Sequence, residues 1–350
     1  MKLVRGMGDF FALDIGTNAI RAVQLVRTGS NQWSLVAHAY VPIDNRVAAS
    51  DSPEAKRKLG ETIMTAVGQS GIKTKNVVLG LPSSKTFTTV IDVPTVSEAE
   101  LKATMKYQID QYIPMAVDDA KVDWALLGPS LREQNQMEVL ISSTAKQYSE
   151  DRLEMVEALG LNVIAAEPDS IAMVRALTPP NSATTAMVMI DMGELATDLT
   201  ITYGDAPRLV RNIPTGLNSL IKAAVQNLNV QDDQARQFIL KFGLSLDRLE
   251  GQVFYAAEST LDGYAAEIVK SIKFFQTRYP NIPVNIMLLS GFAAVIPKLS
   301  DYLGSKAGLQ AAIANPWQGV RLSNDSQQQL AAVASEFTIA VGLAKRSNQS

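Results

Sequence analysis

Two aspartates stand where an apolar run gives way to a glycine turn, a pattern suited to binding a metal-bound phosphate. Asp14 precedes Gly16, and Asp191 precedes Gly193 by the same spacing. Glycine lets the backbone approach a bulky anion, and the N–H groups of such a turn can point at it. The carboxylates can hold a hydrated divalent cation, and Arg21 can reach a phosphate. Either turn alone is also consistent with an ordinary hairpin, but the repetition favours two similar halves that face each other.

The apolar residues on both sides of each turn predict a β-hairpin. In the first half, a third strand over Trp33–Val41, a helix over Pro53–Ser70 and a strand over Val77–Leu81 follow. The same order recurs after Met187, with a helix near Leu217–Leu228. The chain is therefore predicted to be an α/β protein with two similar halves.

Three further segments carry clear local signals. The polar stretch 46–52 is predicted to be a loop, and Leu330–Lys345 is predicted to form one final helix with an apolar inner face. A long amphipathic helix is predicted over Tyr255–Tyr279, ending before Pro280.

Composition excludes several classes of function. The 350 residues are 47% hydrophobic and 19% charged, which is typical of a globular chain with a large core. A net charge of −3 gives no electrostatic reason to expect nucleic acid as a partner. There is no cysteine and only one histidine, His38, which argues against disulfides and a histidine-based metal hydrolase. No apolar run reaches the ~20 residues of a membrane span, so we expect any membrane association to depend on a partner.

The segment 93–160 is predicted to be an insertion between the two halves. Ser97 and Glu100 form a capping box at the start of a helix that Pro114 ends. Strands over Asp123–Leu127 and Met137–Ser142 follow, and then a helix that Gly160 closes. These elements would form a small α/β subdomain.

With these motifs, the chain resembles the actin-like ATPase superfamily. In that family Phe11–Arg21 would be the first phosphate loop, Ile190–Asp198 the second and Val284–Leu299 the adenosine loop. The resemblance implies an actin-like ATPase fold, α/β, with two similar halves around a nucleotide cleft. It also implies ATP or ADP with Mg²⁺ as cofactors, with Asp14 and Asp191 holding the metal through water. The implied nucleotide-binding residues are Asp14, Gly16, Thr17, Asn18, Arg21, Asp191, Gly193, Thr197, Gly216, Gly291 and Phe292.

Within this superfamily the chain most resembles the PilM family of type IV pilus platform proteins. The most specific stretches are Val93–Asp123, Glu267–Tyr279 and the segment 315–317. The resemblance implies an inserted subdomain of the kind that FtsA and PilM carry. The implied division of the chain is 1–92 with 161–185 (subdomain 1A), 93–160 (1C), 186–220 with 285–346 (2A), and 221–284 (2B).

The resemblance also implies a partner. In the PilM family a groove between the inserted subdomain and the first binds the N-terminal cytoplasmic tail of the membrane protein PilN. The stretch Tyr107–Met115 matches that family, which suggests a peptide-binding role for Tyr107, Gln111, Tyr112, Ile113 and Pro114. For the apolar positions Leu101, Met105, Ile109 and Tyr112, packing in the subdomain's own core is the alternative.

Glu167, followed by Pro168 at the start of a helix, is the candidate catalytic residue. In actin-like ATPases a Glu-Pro at this place lies near the metal-bound water, so Glu167 is implied to position water or act as a general base. The alternative is a carboxylate that complements the helix dipole and needs no active site.

Four departures from the superfamily pattern cluster around the base and ribose. Glu194 and Leu195 replace the usual glycines of the second turn, and Leu217 replaces the second glycine of a Gly-Gly pair. Arg236 and Ile239 stand where a glutamate and a lysine usually hold the nucleoside, and Phe292 replaces a glycine of the adenosine loop. These changes imply weak, altered or lost adenine binding, unless Phe292 stacks on the base.

Three functions therefore stand open. The first is a cytoplasmic scaffold, peripheral at the inner face of the cytoplasmic membrane, that binds a PilN-like tail and other pilus platform or motor proteins. The second is a working, weak ATPase of the same fold, and the third is a self-associating, FtsA-like filament protein. A related component of type II secretion is a further alternative to the pilus.

Overall fold

The computed structural model describes residues 9–180 and 182–346, which form three β-sheets surrounded by helices. The strands are β1 (Phe11–Ile15), β2 (Ala19–Gly29), β3 (Gln32–Pro42), β4 (Asn76–Leu81), β5 (Thr86–Pro94), β6 (Ala120–Pro129), β7 (Gln136–Ala145), β8 (Asn162–Pro168), β9 (Ala186–Met192), β10 (Thr197–Tyr203), β11 (Ala206–Ile213), β12 (Val284–Gly291), β13 (Gln310–Ile313) and β14 (Val320–Arg321). The α-helices are α1 (Asn45–Ala48), α2 (Pro53–Ser70), α3 (Glu98–Gln108), α4 (Lys146–Glu157), α5 (Asp169–Leu177), α6 (Leu217–Leu228), α7 (Asp232–Phe242), α8 (Gln252–Arg278), α9 (Leu299–Ala307), α10 (Asn324–Leu330) and α11 (Thr338–Ala344).

The two larger sheets share a five-stranded topology, to which the first adds the edge strand β14, and this confirms the predicted repeat. The first has the order β14-β3-β2-β1-β4-β8, and the second has the order β11-β10-β9-β12-β13. In each, three antiparallel strands are followed by two parallel ones. Asp14 lies opposite Arg21 across the first hairpin, and Asp191 lies opposite Asp198 across the second. The hairpins therefore present equivalent ends to the space between the halves.

Helices α5 and α11 lie between these two sheets and pack against each other. Their buried residues join those of both sheets in one hydrophobic core, with Ala12 and Val78 from the first and Met189 from the second. The helices approach very closely, since a Cβ built on Gly342 would lie 1.9 Å from the carbonyl oxygen of Ala172. Glycine at this position therefore sets the spacing of the two halves.

The insertion forms a separate three-stranded sheet with the order β5-β7-β6. Its helix α3 begins with the predicted capping box between Ser97 and Glu100. Leu101 and Met105 are buried in the core of this unit, together with Val139 and Ile141 of β7. The sheet begins at Thr86, upstream of residue 93, where the sequence suggested a boundary, because β5 pairs with β7 along its whole length.

A buried ion pair connects the inserted unit to the second half. Glu138 on β7 is fully buried and lies 3.0 Å from the guanidinium of Arg208 on β11. Arg278, at the end of α8, donates a hydrogen bond to the carbonyl of Val90 on β5. The inserted unit is therefore joined to the second half at two places.

Local predictions were mostly confirmed, and two were wrong. Helix α2 has the predicted limits and ends at Gly71 in the left-handed conformation. The stretch predicted to be a loop contains the short helix α1, because the carboxylate of Asp44 caps its first turn. The single helix predicted over Leu330–Lys345 is interrupted: α10 ends at Leu330, and a 3₁₀ turn over Ala334–Phe337 precedes α11.

Candidate functional site

A cavity of about 450 Å³ lies between the halves, and both glycine turns line it. The turns are short because Gly16 and Gly193 each donate a backbone hydrogen bond to the carbonyl three residues later. The structure thus brings together Asp14, Gly16, Thr17, Asn18, Arg21, Asp191, Gly193, Gly291 and Phe292 of the predicted residues. The volume is within the usual range of ligand pockets, roughly 300–1,000 Å³.

Four aspartates give this cleft an acidic floor: Asp14, Asp169, Asp191 and Asp198. Burial raises the pKa of Asp191 to about 7 and that of Asp198 to about 6. Burial also raises the pKa of Asp14, although Arg21 opposes the shift. The pKa of Asp169 rises well above its usual value, because burial and the neighbouring carboxylates, first of all Asp14, both disfavour its charged form.

Arg21, a buried cation of this floor, already forms ion pairs and hydrogen bonds within the protein. Arg21 lies 3.3 Å from Asp14, 2.5 Å from Glu336 and 2.9 Å from the side-chain oxygen of Asn18. The amide of Asn18 in turn donates to Glu336 at 2.7 Å. Sequence spacing carries no signal for Glu336, because it reaches Arg21 from the far end of the chain through the 3₁₀ turn before α11.

The acidic floor fits a hydrated Mg²⁺ with its phosphates. Oδ1 of Asp169 is buried and accepts no hydrogen bond from any described residue. A divalent cation would favour the ionised forms that burial disfavours here. Within residues 9–180 and 182–346, no group of three or more histidine, aspartate or glutamate side chains is close enough to bind a metal directly.

The structure does not bring Glu167 to the cleft. Both of its carboxylate oxygens are bound by arginines, Arg175 of α5 and Arg346 near the chain end, and it lines a different cavity. Asp169, two residues further on, enters the cleft instead, next to Gly80, whose missing side chain leaves room for it. Sequence reasoning missed Asp169, because the family pattern pointed to Glu167, two residues earlier.

Two other predicted residues lie behind the second turn and support it. Thr197 is fully buried and donates a hydrogen bond to the carbonyl of Thr215 at 2.7 Å. A Cβ on Gly216 would lie 2.6 Å from the carbonyl oxygen of Glu194. Both residues therefore shape the turn through packing.

On the side where the resemblance placed the nucleoside, the protein's own side chains contact one another. Arg236 of α7 forms two hydrogen bonds with Glu194, at 2.8 and 3.0 Å. Its guanidinium also lies over the ring of Phe292, 5.6 Å from the centroid. Phe292 is buried in the core of the second half, and Ile239 is buried there as well. One face of the Phe292 ring is therefore already covered by Arg236.

A second and larger cavity, of about 1,610 Å³, is a groove between the inserted unit and the main body. Consecutive residues of β6 line it, from Lys121 to Ala125, so the strand presents its unpaired edge and not one face. Glu167 and Arg175 line the opposite side. Trp33 and Trp124 both border this groove.

Helix α4 separates the two cavities. Tyr148, Arg152 and Met155, one helical stripe, line the cleft. Ser149 and Leu153, the adjacent stripe, line the groove. A single helix of twelve residues therefore contributes side chains to both sites.

The residues predicted to bind a peptide divide between core and surface. Ile113 is buried and Tyr112 packs against the same core of the inserted unit, as the alternative interpretation proposed. Gln111 and Pro114 are exposed, and the side chain of Tyr107 lies outside the part of the chain that the structure describes. None of the described members of this set lines the groove.

Known proteins share this architecture. The sequence profile of the family described as type IV pilus assembly protein PilM matches residues 12–348. The solved PilM–PilN type IV pilus biogenesis complex matches with a TM-score of 0.81 and 21% identity, over 96% of this chain and 98% of that one.

Two more distant structures share the fold. The ethanolamine utilization protein EutJ from Carboxydothermus hydrogenoformans has a TM-score of 0.51 and 12% identity, over 95% of this chain and 88% of that one. MreB5 of Spiroplasma citri bound to AMPPNP has a TM-score of 0.52 and 11% identity, over 97% and 95%. In the described part of the chain, no helix has the length and apolar character needed to cross a bilayer. The fold is that of the actin-like ATPases, and the chain belongs to the PilM family of type IV pilus assembly proteins.

Proposed function

We propose that this protein is an actin-like component of the type IV pilus inner-membrane platform that binds the N-terminal cytoplasmic tail of a PilN-like protein. The family match and the PilM–PilN complex support a partner of this kind. The observation that carries the proposal is the long groove beside an unpaired strand edge. The proposed location of the protein is the inner face of the cytoplasmic membrane, where the PilN-like partner would hold it. Other platform or motor proteins would be further partners there.

The groove suits an extended peptide. An unpaired strand offers main-chain donors and acceptors to which a peptide can add as a further strand. Six basic residues line the groove against three acidic ones: Arg27, Lys121, Arg175, Arg208, Lys345 and Arg346 against Asp123, Glu167 and Asp205. Burial lowers the pKa of Lys345 to about 8, and its ammonium donates to the carbonyl of Gln318 at 2.8 Å. Arg175 and Arg346 are paired with Glu167, Arg208 with Glu138 and Lys121 with Glu150. The lining therefore suits the main chain and apolar side chains of a peptide more than its carboxylates.

Replacing Trp124 by alanine should weaken tail binding at least tenfold. Trp124 borders the groove and also packs against the core of the inserted unit. Aromatic anchors of this kind contribute about 2 kcal/mol or more at interfaces. The measurement is a fluorescence titration of the protein with the synthetic N-terminal tail of a PilN-like protein, with calorimetry for the variant. Gln111→Ala is the matched control, because Gln111 is exposed and lies outside the groove. Loss of binding in Gln111→Ala with none in Trp124→Ala would instead support the site predicted from the sequence.

We further propose that the cleft binds a nucleotide with Mg²⁺. Asp14, Asp169 and Asp191 would hold the hydrated cation, and the two glycine turns would contact the phosphates. The cation would neutralise phosphate charge when bound. Asp169 lines the cleft, while both oxygens of Glu167 are engaged by arginines, so Asp169 and not Glu167 would contact the hydrated cation.

Asp14→Ala should abolish binding of ATP in the presence of Mg²⁺. The change removes a carboxylate of the metal site and leaves Arg21 with Glu336 alone. Calorimetric titration at pH 8, above the pKa of about 7 of Asp191 and about 6 of Asp198, would measure this with these two carboxylates ionised. Asp301→Ala is the control, because that carboxylate is exposed on α9. No heat from the wild type at millimolar ATP would make the cleft vestigial and leave tail binding as the function.

A further inference from the structure

One end of the cleft, here called the basic end, carries the cations Lys85 and Arg152. Lys85, in the turn between β4 and β5, places its ammonium 5.6 Å from the centre of the Tyr148 ring. Arg152 places its guanidinium 5.5 Å from the same centre. All three side chains line the same cavity as Asp14 and Asp191. Two cations thus share one aromatic ring at the edge of a ligand-sized cavity.

These two cations lack the partners that the other cleft charges have. In residues 9–180 and 182–346, neither Lys85 nor Arg152 forms an ion pair with a carboxylate. Arg152 donates to the hydroxyl of Tyr148 at 3.3 Å. Burial raises the pKa of Tyr148, which keeps it a neutral phenol with a proton to donate. An anion bound beside this ring would be attracted by both cations.

Lys56, another basic residue of the cavity, differs from this pair. Its ammonium lies 3.9 Å from Asp151, so its charge already has a partner. It therefore provides a matched comparison on the same cavity lining.

We propose that Lys85, Arg152 and the Tyr148 hydroxyl form a subsite for the terminal phosphate of the bound nucleotide, and that this subsite distinguishes triphosphate from diphosphate. The inference rests on the proposed function, because it requires a magnesium nucleotide in the cleft. The acidic floor would take the hydrated cation. The basic end would take the phosphate charge that the cation leaves uncompensated, which is larger for a triphosphate. Both the turn that bears Lys85 and the helix that bears Arg152 adjoin or belong to the inserted unit, so this unit would contact the phosphate that hydrolysis removes.

The test is calorimetric titration of the full chain with MgATP and with MgADP, for the wild type, Lys85→Met, Arg152→Met and the double variant. Charge-assisted hydrogen bonds contribute about 1.5–3 kcal/mol, so the double variant should lose roughly tenfold or more in MgATP affinity. Its MgADP affinity should change by less than about threefold, within the usual range for exposed charges. Lys56→Met should leave the ratio of the two affinities unchanged.

An unchanged ATP-to-ADP ratio in the double variant would overturn the proposal while leaving nucleotide binding in place. Binding of neither nucleotide by the wild type would overturn both the subsite and the proposed nucleotide function. Lys85 is exposed on a turn, so Lys85→Met alone keeps the test valid if the Arg152 variant is poorly folded. Tyr148→Phe, which keeps the ring and removes the hydroxyl, should produce a smaller loss for MgATP than either cation variant.

Discussion

Replacing Gly342 by alanine should destabilise the protein by about 3 kcal/mol or more, the largest effect expected of a single added methyl group here. The new Cβ would lie 1.9 Å from the carbonyl oxygen of Ala172, so α5 and α11 would have to separate. These helices form the layer between the two main sheets, and the backbone at the contact cannot rotate away as a side chain could. Arg175 also donates to the carbonyl of Gly342 at 2.9 Å, and this bond would be displaced.

The measurement is the urea midpoint of unfolding, followed by circular dichroism. Gly263→Ala is the matched control, because Gly263 lies in α8 with no heavy atom within 4 Å of an added Cβ. Alanine there should stabilise the helix by about 0.5–1 kcal/mol. Equal midpoints for the two variants would contradict the close packing of α5 on α11.

Arg208→Ala should cost about 3–5 kcal/mol, because it leaves the carboxylate of Glu138 buried without its charged partner. The side chain of Glu138 has no exposed surface, and Arg208 lies 3.0 Å from it. Arg132 is the next cation, at 3.9 Å, and it is already bound to Asp92. The measurement is again the urea midpoint, with limited proteolysis of the inserted unit as a second readout.

The design includes a rescue and a surface control. Arg208→Leu combined with Glu138→Leu should recover most of the loss, since replacing both charges by apolar groups removes the unpaired one. Lys270→Ala should change stability by less than about 1 kcal/mol, because its pair with Glu267 is exposed. If the double variant were as unstable as Arg208→Ala, the cost would come from lost packing and not from the charge.

Much of the architecture could be predicted from local sequence. The two Asp-x-Gly turns, the capping box at Ser97 and the stop at Gly71 each depend on neighbours within a few positions, and each was found. The repeat of the two sheets followed from the repeated order of their elements.

The parts that could not be predicted depend on contacts between distant segments. The family pattern pointed to Glu167, but two arginines bind it, and Asp169 occupies the cleft. Glu336 reaches Arg21 only because a 3₁₀ turn interrupts the expected helix. The sequence showed that Arg236 departs from the superfamily pattern. Its ion pair with Glu194 could not be predicted, because the two residues lie on separate elements, α7 and the second turn. Sequence spacing cannot predict such pairs, because it relates only residues that are close to one another along the chain.

The position of α4 between the two cavities has a thermodynamic consequence. If a nucleotide in the cleft shifts α4 through its contacts with Tyr148 or Arg152, Leu153 moves with the helix and the groove changes. The resulting coupling free energy is the same for both ligands. If bound nucleotide raises the affinity for the peptide by some factor, bound peptide must raise the affinity for the nucleotide by the same factor. A protein of this design would not need to turn over ATP to be regulated by it, because occupancy of one site would be enough to set the affinity of the other.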